Sequence, residues 1–450
     1  MEEKFKKYVA DNTQRFAKDV MRLVAQPSVS ARKEGIEECA VLVEKMLQEI
    51  GAKTKMLRLE GAAPLVYGEI KSTKSNKTVL FYNHYDVQPE EPLALWKSPP
   101  FKPEIRDGVI YGRGAADDKG ELVSRLKLIE SYMKVNGEPP CNVKFCFEGE
   151  EEVGSVHLHD YVSKNHDLFK ADGVFWEFGE TDLEGRPYMS LGMKGMIYLE
   201  LIVKSLGADQ HSSYAAVLPS ASWRMVRLLN TIKDADERIL IPGWYDAVEN
   251  LTDEELELIN QYVFDEKEYL ASHAAEAFVA GLSGDQVKKA LVQRPTANIA
   301  GIWAGYMGPG SKTVLPMEIH CKMDFRLVPQ QDPDDLMKKL HAHLEKNGFG
   351  DVEVKVESME PAARTNSKDP LVKAAMRAGQ EIYGKKPNVE VSAAGTGPLY
   401  IFTRGYGASA ISIGVSSSDC GMHAPNEKLR LDYLQKGMLW VGQSIEYFVS

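Results

Sequence analysis

Long apolar runs are missing from this chain: no stretch approaches the roughly 20 residues a membrane-spanning helix needs. The opening Met1-Glu2-Glu3-Lys4-Phe5-Lys6-Lys7 also lacks the apolar core of a secretory leader. A cytoplasmic protein with no membrane partner is the expectation. Basic excess is missing too. The 450 residues carry 54 Lys and Arg against 65 Asp and Glu, a formal net charge of -11, and the pI is near 5.5. This excludes the basic footprint of a general nucleic-acid binder. Cysteine is scarce. Cys39, Cys141, Cys146, Cys321 and Cys420 are scattered, odd in number and without CxxC spacing, so they read as reduced, mostly buried thiols. Cys420 lies near His423, but a nucleophilic thiol would also need an electropositive setting. No internal repeat or low-complexity tract appears.

What is present is the alternation of an α/β protein. A helical pattern ends before Gly51, and strand patterns follow at 53–59, 65–70 and 78–82. A helix at 121–133 precedes strands at 142–147 and 173–178. From Met196 the order becomes strand, helix, strand, strand, helix, strand, the ferredoxin-like split unit. An acidic, helical insertion from about 234 to 294 interrupts it, and Leu251-Thr252-Asp253-Glu254-Glu255 reads as a capped helix start. The α/β character resumes after Pro361. The expected fold is therefore a three-layer αβα catalytic domain with a mixed sheet (1–190 and 362–450), interrupted by a smaller ferredoxin-like α+β lid or dimerisation domain (191–361).

The strand at 142–147 runs into Glu148-Gly149-Glu150-Glu151-Glu152-Val153-Gly154-Ser155. Carboxylates at the carboxyl end of a strand lie where open α/β sheets bind ligands. Taken alone, they could equally form a solvated acidic turn before a helix starting near Gly154. The strand at 78–82 similarly delivers His84 and Asp86 to one face, the pairing in which an acid fixes the tautomer of a metal-bound imidazole. A third segment, Gly112-Arg113-Gly114-Ala115-Ala116-Asp117-Asp118-Lys119-Gly120, carries two acids into a helix. It fails as a phosphate loop, because it lacks the GxxxxGK[ST] pattern and its aspartates would repel phosphate. As a metal loop it offers a carboxylate able to bridge two cations.

With Gly421-Met422-His423, these segments resemble, in order, the dinuclear zinc metallopeptidase family of carnosinase-like dipeptidases, glutamate carboxypeptidases and aminoacylases. The acidic insertion and Thr313-Val314-Leu315-Pro316 look closest to the carnosinase-like dipeptidases. The resemblance implies Asp117 as the bridging carboxylate, Glu152 and His423 completing one site, and His84 in the other, oriented by Asp86. The fifth ligand falls on Glu177 or Glu180, with Glu177 favoured because it directly follows the strand. Glu151 is implied as general base toward a water bridging two divalent ions, with zinc first and manganese or cobalt admitted. Glu148 and Glu150 are left as supporting or solvent-facing groups. In the insert, His211 resembles the family's oxyanion donor, which crosses from the partner subunit in dimeric members. Arg326 resembles the arginine that grips the substrate carboxylate. Thr313, Asn298, Gly395 and Thr396 are further substrate-contact candidates. The implied activity is hydrolysis of dipeptides or short peptides by a homodimer joined through the lid. The alternatives are an N-acyl amino acid amidohydrolase and an inactive metal-binding interaction protein.

Overall fold

The computed structural model describes residues 1–450, which divide into two compact units. The first comprises Met1–Gly192, Arg364–Val391 and Pro398–Ser450; the second comprises Met193–Ala363 and Ser392–Gly397. The short loop Ser392–Gly397, read from sequence as part of the resumed α/β region, thus groups with the inserted unit.

Unit 1 is built on a mixed eight-stranded sheet. Thr78–His84 lies centrally, parallel to Asn142–Glu148 on one side and to Gly173–Trp176 on the other. Ser409–Ser412 continues the parallel run beyond Gly173–Trp176. Thr78–His84 and Asn142–Glu148 are each buried at every residue but the first, as a parallel sheet covered on both faces requires. Helices Glu3–Val24, Lys119–Asn136, Pro370–Tyr383 and Leu431–Val449 supply apolar cover. Trp440, fully buried, packs edge-on against Tyr383 and donates its indole N–H to the Ala375 carbonyl. The acidic run does not lead directly into a helix at Gly154: Glu151–Val153 forms one 3-10 turn and the next helix starts at Leu158.

Unit 2 carries a four-stranded antiparallel sheet in the order Thr296–Ala304, Glu318–Leu327, Gly195–Lys204, Glu353–Glu360. With helices Ala221–Ile232 and Pro333–Lys346 this is the βαββαβ arrangement. Glu318–Leu327 alternates half-buried and buried residues, sending Ile319, Cys321, Met323, Phe325 and Leu327 into the core. The insertion forms the short helices Asp253–Gln261, Glu266–Ser272 and Asp285–Gln293, the first closed by a Thr252–Glu255 capping box. It also sends Trp244 into that core, 4.9 Å from the Phe325 ring. No helix is long and apolar enough to cross a membrane.

Trp440→Ala removes a fully buried ring and its hydrogen bond. It should lower the unfolding free energy by about 3–5 kcal/mol, read by chemical denaturation; an unchanged midpoint would contradict this packing.

Candidate metal centre

The parallel pairing sets His84 opposite Glu148, so the strand ends of Thr78–His84, Asn142–Glu148 and Gly173–Trp176 deliver His84, the acidic turn and Glu177 to one edge of the sheet. His84 is 1% exposed. Its Nδ1 lies 3.0 Å from the Asp86 carbonyl and 3.4 Å from Asp86 Oδ1, and its Nε2 lies 3.1 Å from Asp117 Oδ1. Asp86 does more than face the imidazole. Its two carboxylate oxygens accept the backbone N–H groups of Glu151 (3.2 Å) and Glu152 (3.1 Å), fixing the turn that carries both acids.

The loop from Gly112 to Gly120 is shaped by glycine where a side chain has no room. Gly114 has φ +88°, and a Cβ on Gly120 would stand 2.0 Å from the Ala115 carbonyl oxygen. What holds the loop is a residue that sequence reasoning missed. Glu427, fully buried, accepts from the Arg113 guanidinium at 2.8 Å and from the backbone N–H groups of Gly114, Ala116 and Asp117 at 3.0, 2.9 and 2.9 Å. Arg113 in turn donates to the His423 carbonyl at 3.3 Å. The only local signal was an acid four residues beyond His423.

Asp117 and His423 meet within this frame. His423 Nε2 lies 2.9 Å from Asp117 Oδ2 and 3.2 Å from Glu152 Oε2. Donor atoms of His84, Asp117 and Glu152 lie within 4.8 Å of one another, as do those of His84, Asp118 and Glu177. Asp118, to which the sequence alone assigns no role, is thus part of the cluster. Its Oδ2 accepts from Asn83 Nδ2 and His84 N–H, while its Oδ1 and Glu177 Oε2 are buried without a partner. Glu180 belongs to neither group and sits in a short pairing with Ser416–Ser417.

Burial, and then the charge of Glu151, pushes the Glu177 carboxyl well above the usual carboxylate range. Burial pushes Glu151 up to about 7, with the His84 charge opposing. Against burial, which favours its neutral form, hydrogen bonds from His423 and His84 hold Asp117 below the usual range. Hydrogen bonds to Asp117 and Glu152 raise His423 to about 10. Carboxylates crowded around two imidazoles draw positive charge, and the unpartnered oxygens of Asp118 and Glu177 point the same way. The donor set therefore fits divalent cations.

Glu148 and Glu150, expected as supporting or solvent-facing, are both structural. Glu148 is 3% exposed and accepts from the Tyr82 hydroxyl and Ser155 Oγ. Glu150 accepts the Ala63 N–H at 3.0 Å and lies 2.8 Å from His157 Nδ1.

Within unit 2, His211 and Thr313 come together, with 3.0 Å between His211 Nε2 and Thr313 Oγ1. Arg326 donates to Thr396 Oγ1 at 2.6 Å, and the Gly395 carbonyl accepts the Lys194 N–H at 2.9 Å. Asn298 instead donates to Asp324 Oδ2 at 2.8 Å.

A parallel sheet whose strand ends gather imidazoles and carboxylates is the frame of a metal-dependent hydrolase. The chain belongs to peptidase family M20/M25/M40, whose profile it matches over residues 80–447. It is similar to Beta-Ala-His dipeptidase of Rattus norvegicus, at 30% identity over 94% of this chain and 89% of that protein. It also resembles Cys-Gly metallodipeptidase DUG1 of Candida albicans, at 29% identity over 96% and 94% of the two chains. Among solved structures, the M20 family metallo-carboxypeptidase Sso-CP2 of Sulfolobus solfataricus superposes with a TM-score of 0.89 at 37% identity, covering 96% of this chain and 99% of that one.

Glu427→Gln would turn an amide nitrogen toward the loop's N–H groups or strand one of them. Stability should fall by about 1–3 kcal/mol in chemical denaturation, and an unchanged midpoint would remove Glu427 from the loop's support.

Proposed function

We propose that this chain hydrolyses the amide bond of dipeptides and short peptides at a centre of two divalent cations, and that Glu151 is its general base and acid. His84, Asp117, Glu152, Glu177 and His423 would hold the cations, and Asp118 backs His84 by accepting its N–H. Zinc is the first choice for imidazole with carboxylate, and manganese or cobalt suits the carboxylate-rich set. When bound, the cations lower the pKa of the attacking water and polarise the scissile carbonyl.

The position of Glu151 carries this reading. It lies beside Glu152 on a turn clamped by Asp86, its Oε2 is 3.9 Å from His84 Nε2, and it belongs to neither ligand group. From there it takes the proton of the water and returns it to the leaving amine. His211, its ring set by Ser213 and Thr313, is assigned to the developing oxyanion. Arg326, set by Thr396, is assigned to the substrate carboxylate. The names of the dipeptidase relatives support the substrate class, and that of the carboxypeptidase supports exopeptidase action on longer peptides.

A homodimer through unit 2 is part of the proposal. The edge strand Thr296–Ala304 exposes Ile299 and Ile302, and the helix Ala221–Ile232 exposes Trp223 and Val226, a surface suited to a second copy. Five free, buried cysteines support a reducing, cytoplasmic setting.

The test is a panel of dipeptides and their N-acetyl forms, assayed after chelation and re-addition of Zn, Mn or Co. Activity should vanish and return with metal, and free dipeptides should be the better substrates; faster cleavage of the acetylated forms would move the assignment to a deacylase. In the same assay Glu151→Gln should keep its metal content and lose about 100-fold or more in kcat. Undiminished turnover would take Glu151 out of the mechanism.

A further inference from the structure

Unit 1 also buries an ion pair outside the metal centre. Glu121 and Arg125 stand one turn apart on the helix Lys119–Asn136, with side chains 0% and 1% exposed and 3.2 Å between Glu121 Oε2 and Arg125 Nη2. Apolar residues of the same volume are often as stable in such a place, because desolvating two charges can cost more than their attraction returns. The cost is raised here, since Arg125 Nε and Nη1 are buried without a hydrogen-bond partner.

What the pair holds is main chain at two neighbouring strand ends. Ser412 pairs with Trp176, so the next residues, Ile413 and Glu177, leave the sheet side by side. Arg125 Nη2 donates to the Ile413 carbonyl at 2.6 Å and to the Glu177 carbonyl at 3.4 Å. Glu121 Oε1 accepts the N–H groups of Val415 and Ser416 at 2.6 and 3.2 Å. Gly414 admits that carboxylate, for a Cβ there would stand 2.1 Å from Glu121 Oε1. The helix carrying the pair opens at Asp118, and Asn83 Nδ2 donates both to Asp118 Oδ2 at 2.8 Å and to the Glu177 carbonyl at 3.4 Å. The Trp176 indole donates to Glu177 Oε1 at 3.1 Å, so the side chain and the main chain of Glu177 have separate supports.

We propose that Arg125, with Glu121 as its counter-charge, is a positioning residue for the cation that Glu177 holds, setting how far the Glu177 segment stands from Asp118 and His84. Donor atoms of His84, Asp118 and Glu177 gather within 4.8 Å. A carboxylate carried on a strand end keeps that spacing when its main chain is tied to the helix that bears Asp118. Arginine suits the task because its planar fork reaches two carbonyls from one helix position; an apolar residue would fill the space and hold neither. The inference deepens the peptidase reading above and rests on it for Glu177 as a metal ligand.

Cobalt(II) titrations of the intact protein after chelation, followed by calorimetry and visible absorption, test the pair. In Arg125→Met one equivalent should bind as in the parent and the other about 10–100-fold more weakly, the usual worth of an outer support, with a changed absorption band for that equivalent alone. Should Arg125→Met fail to fold, Glu121→Gln supplies the same readout, since it keeps an oxygen for the Val415 and Ser416 amides and removes the charge. Glu177→Ala is the reference and should weaken the same equivalent. In dipeptide kinetics at saturating metal, Arg125→Met should lower kcat with KM little changed. If Glu177→Ala weakens one equivalent and the pair variants leave it unaltered, the positioning role is overturned and the peptidase reading stands. Equal weakening of both equivalents in the pair variants also overturns it, by making the pair a general support of the fold. If Glu177→Ala weakens neither, the ligand assignment fails and the inference falls with it.

Discussion

Negative charge held at close range is the constraint on which unit 1 depends. Two carboxylates about 4 Å apart repel by about 4 kcal/mol at an effective dielectric of 20, and this centre crowds Asp86, Asp117, Asp118, Glu151, Glu152 and Glu177 around two imidazoles. The fold answers by spending some acids to hold others. Asp86 takes the amides of the Glu151–Glu152 turn, Asp118 takes the His84 amide, and Glu427 takes three amides of the loop leading to Asp117. Each of the three accepts main-chain N–H groups, which offsets part of the cost of burying a polar group. The carboxylates left over gather around the two imidazoles, and that donor set calls for cations.

The division between what could be read from sequence and what could not follows from range. Strands ending in chemistry were legible because apolar runs at 78–82 and 142–147 lead straight into His84 and the acidic turn, and strand ends are where α/β sheets bind. Glu427 was not, since its partners lie 310 to 314 residues away and nothing in the local pattern marks it. Asp118 stood in plain view beside Asp117, yet only the register of the folded loop shows which of the two faces His84 Nε2. Glu148 and Glu150 could be read only as supporting or solvent-facing, because a run of acids does not show which of them is buried; Tyr82, Ser155, Ala63 and His157 give them partners that no periodicity predicts.

Unit 2 repeats the lesson at another scale. Its βαββαβ order and the alternation of Glu318–Leu327 were visible as patterns of two and of three to four residues. Its insertion read simply as acidic and helical. In the fold, Trp244 anchors the start of that insertion in the core of the unit, while later residues enclose apolar space beside Lys194 and Arg326. A segment that looked like surface decoration is thus partly interior.

The tie between Glu427 and the loop before Asp117 also sets a clock. During synthesis the loop leaves the ribosome 310 residues ahead of its anchor, an interval of about 15–60 s at 5–20 residues per second. Throughout it, the strand Thr78–His84 has its sequence while its neighbours Asn142–Glu148, Gly173–Trp176 and Ser409–Ser412 arrive in turn, and both Glu427 and His423 are still missing. The nascent chain therefore carries an unlocked loop and an incomplete donor set, and the centre closes only when the last strands and the final helix of unit 1 arrive.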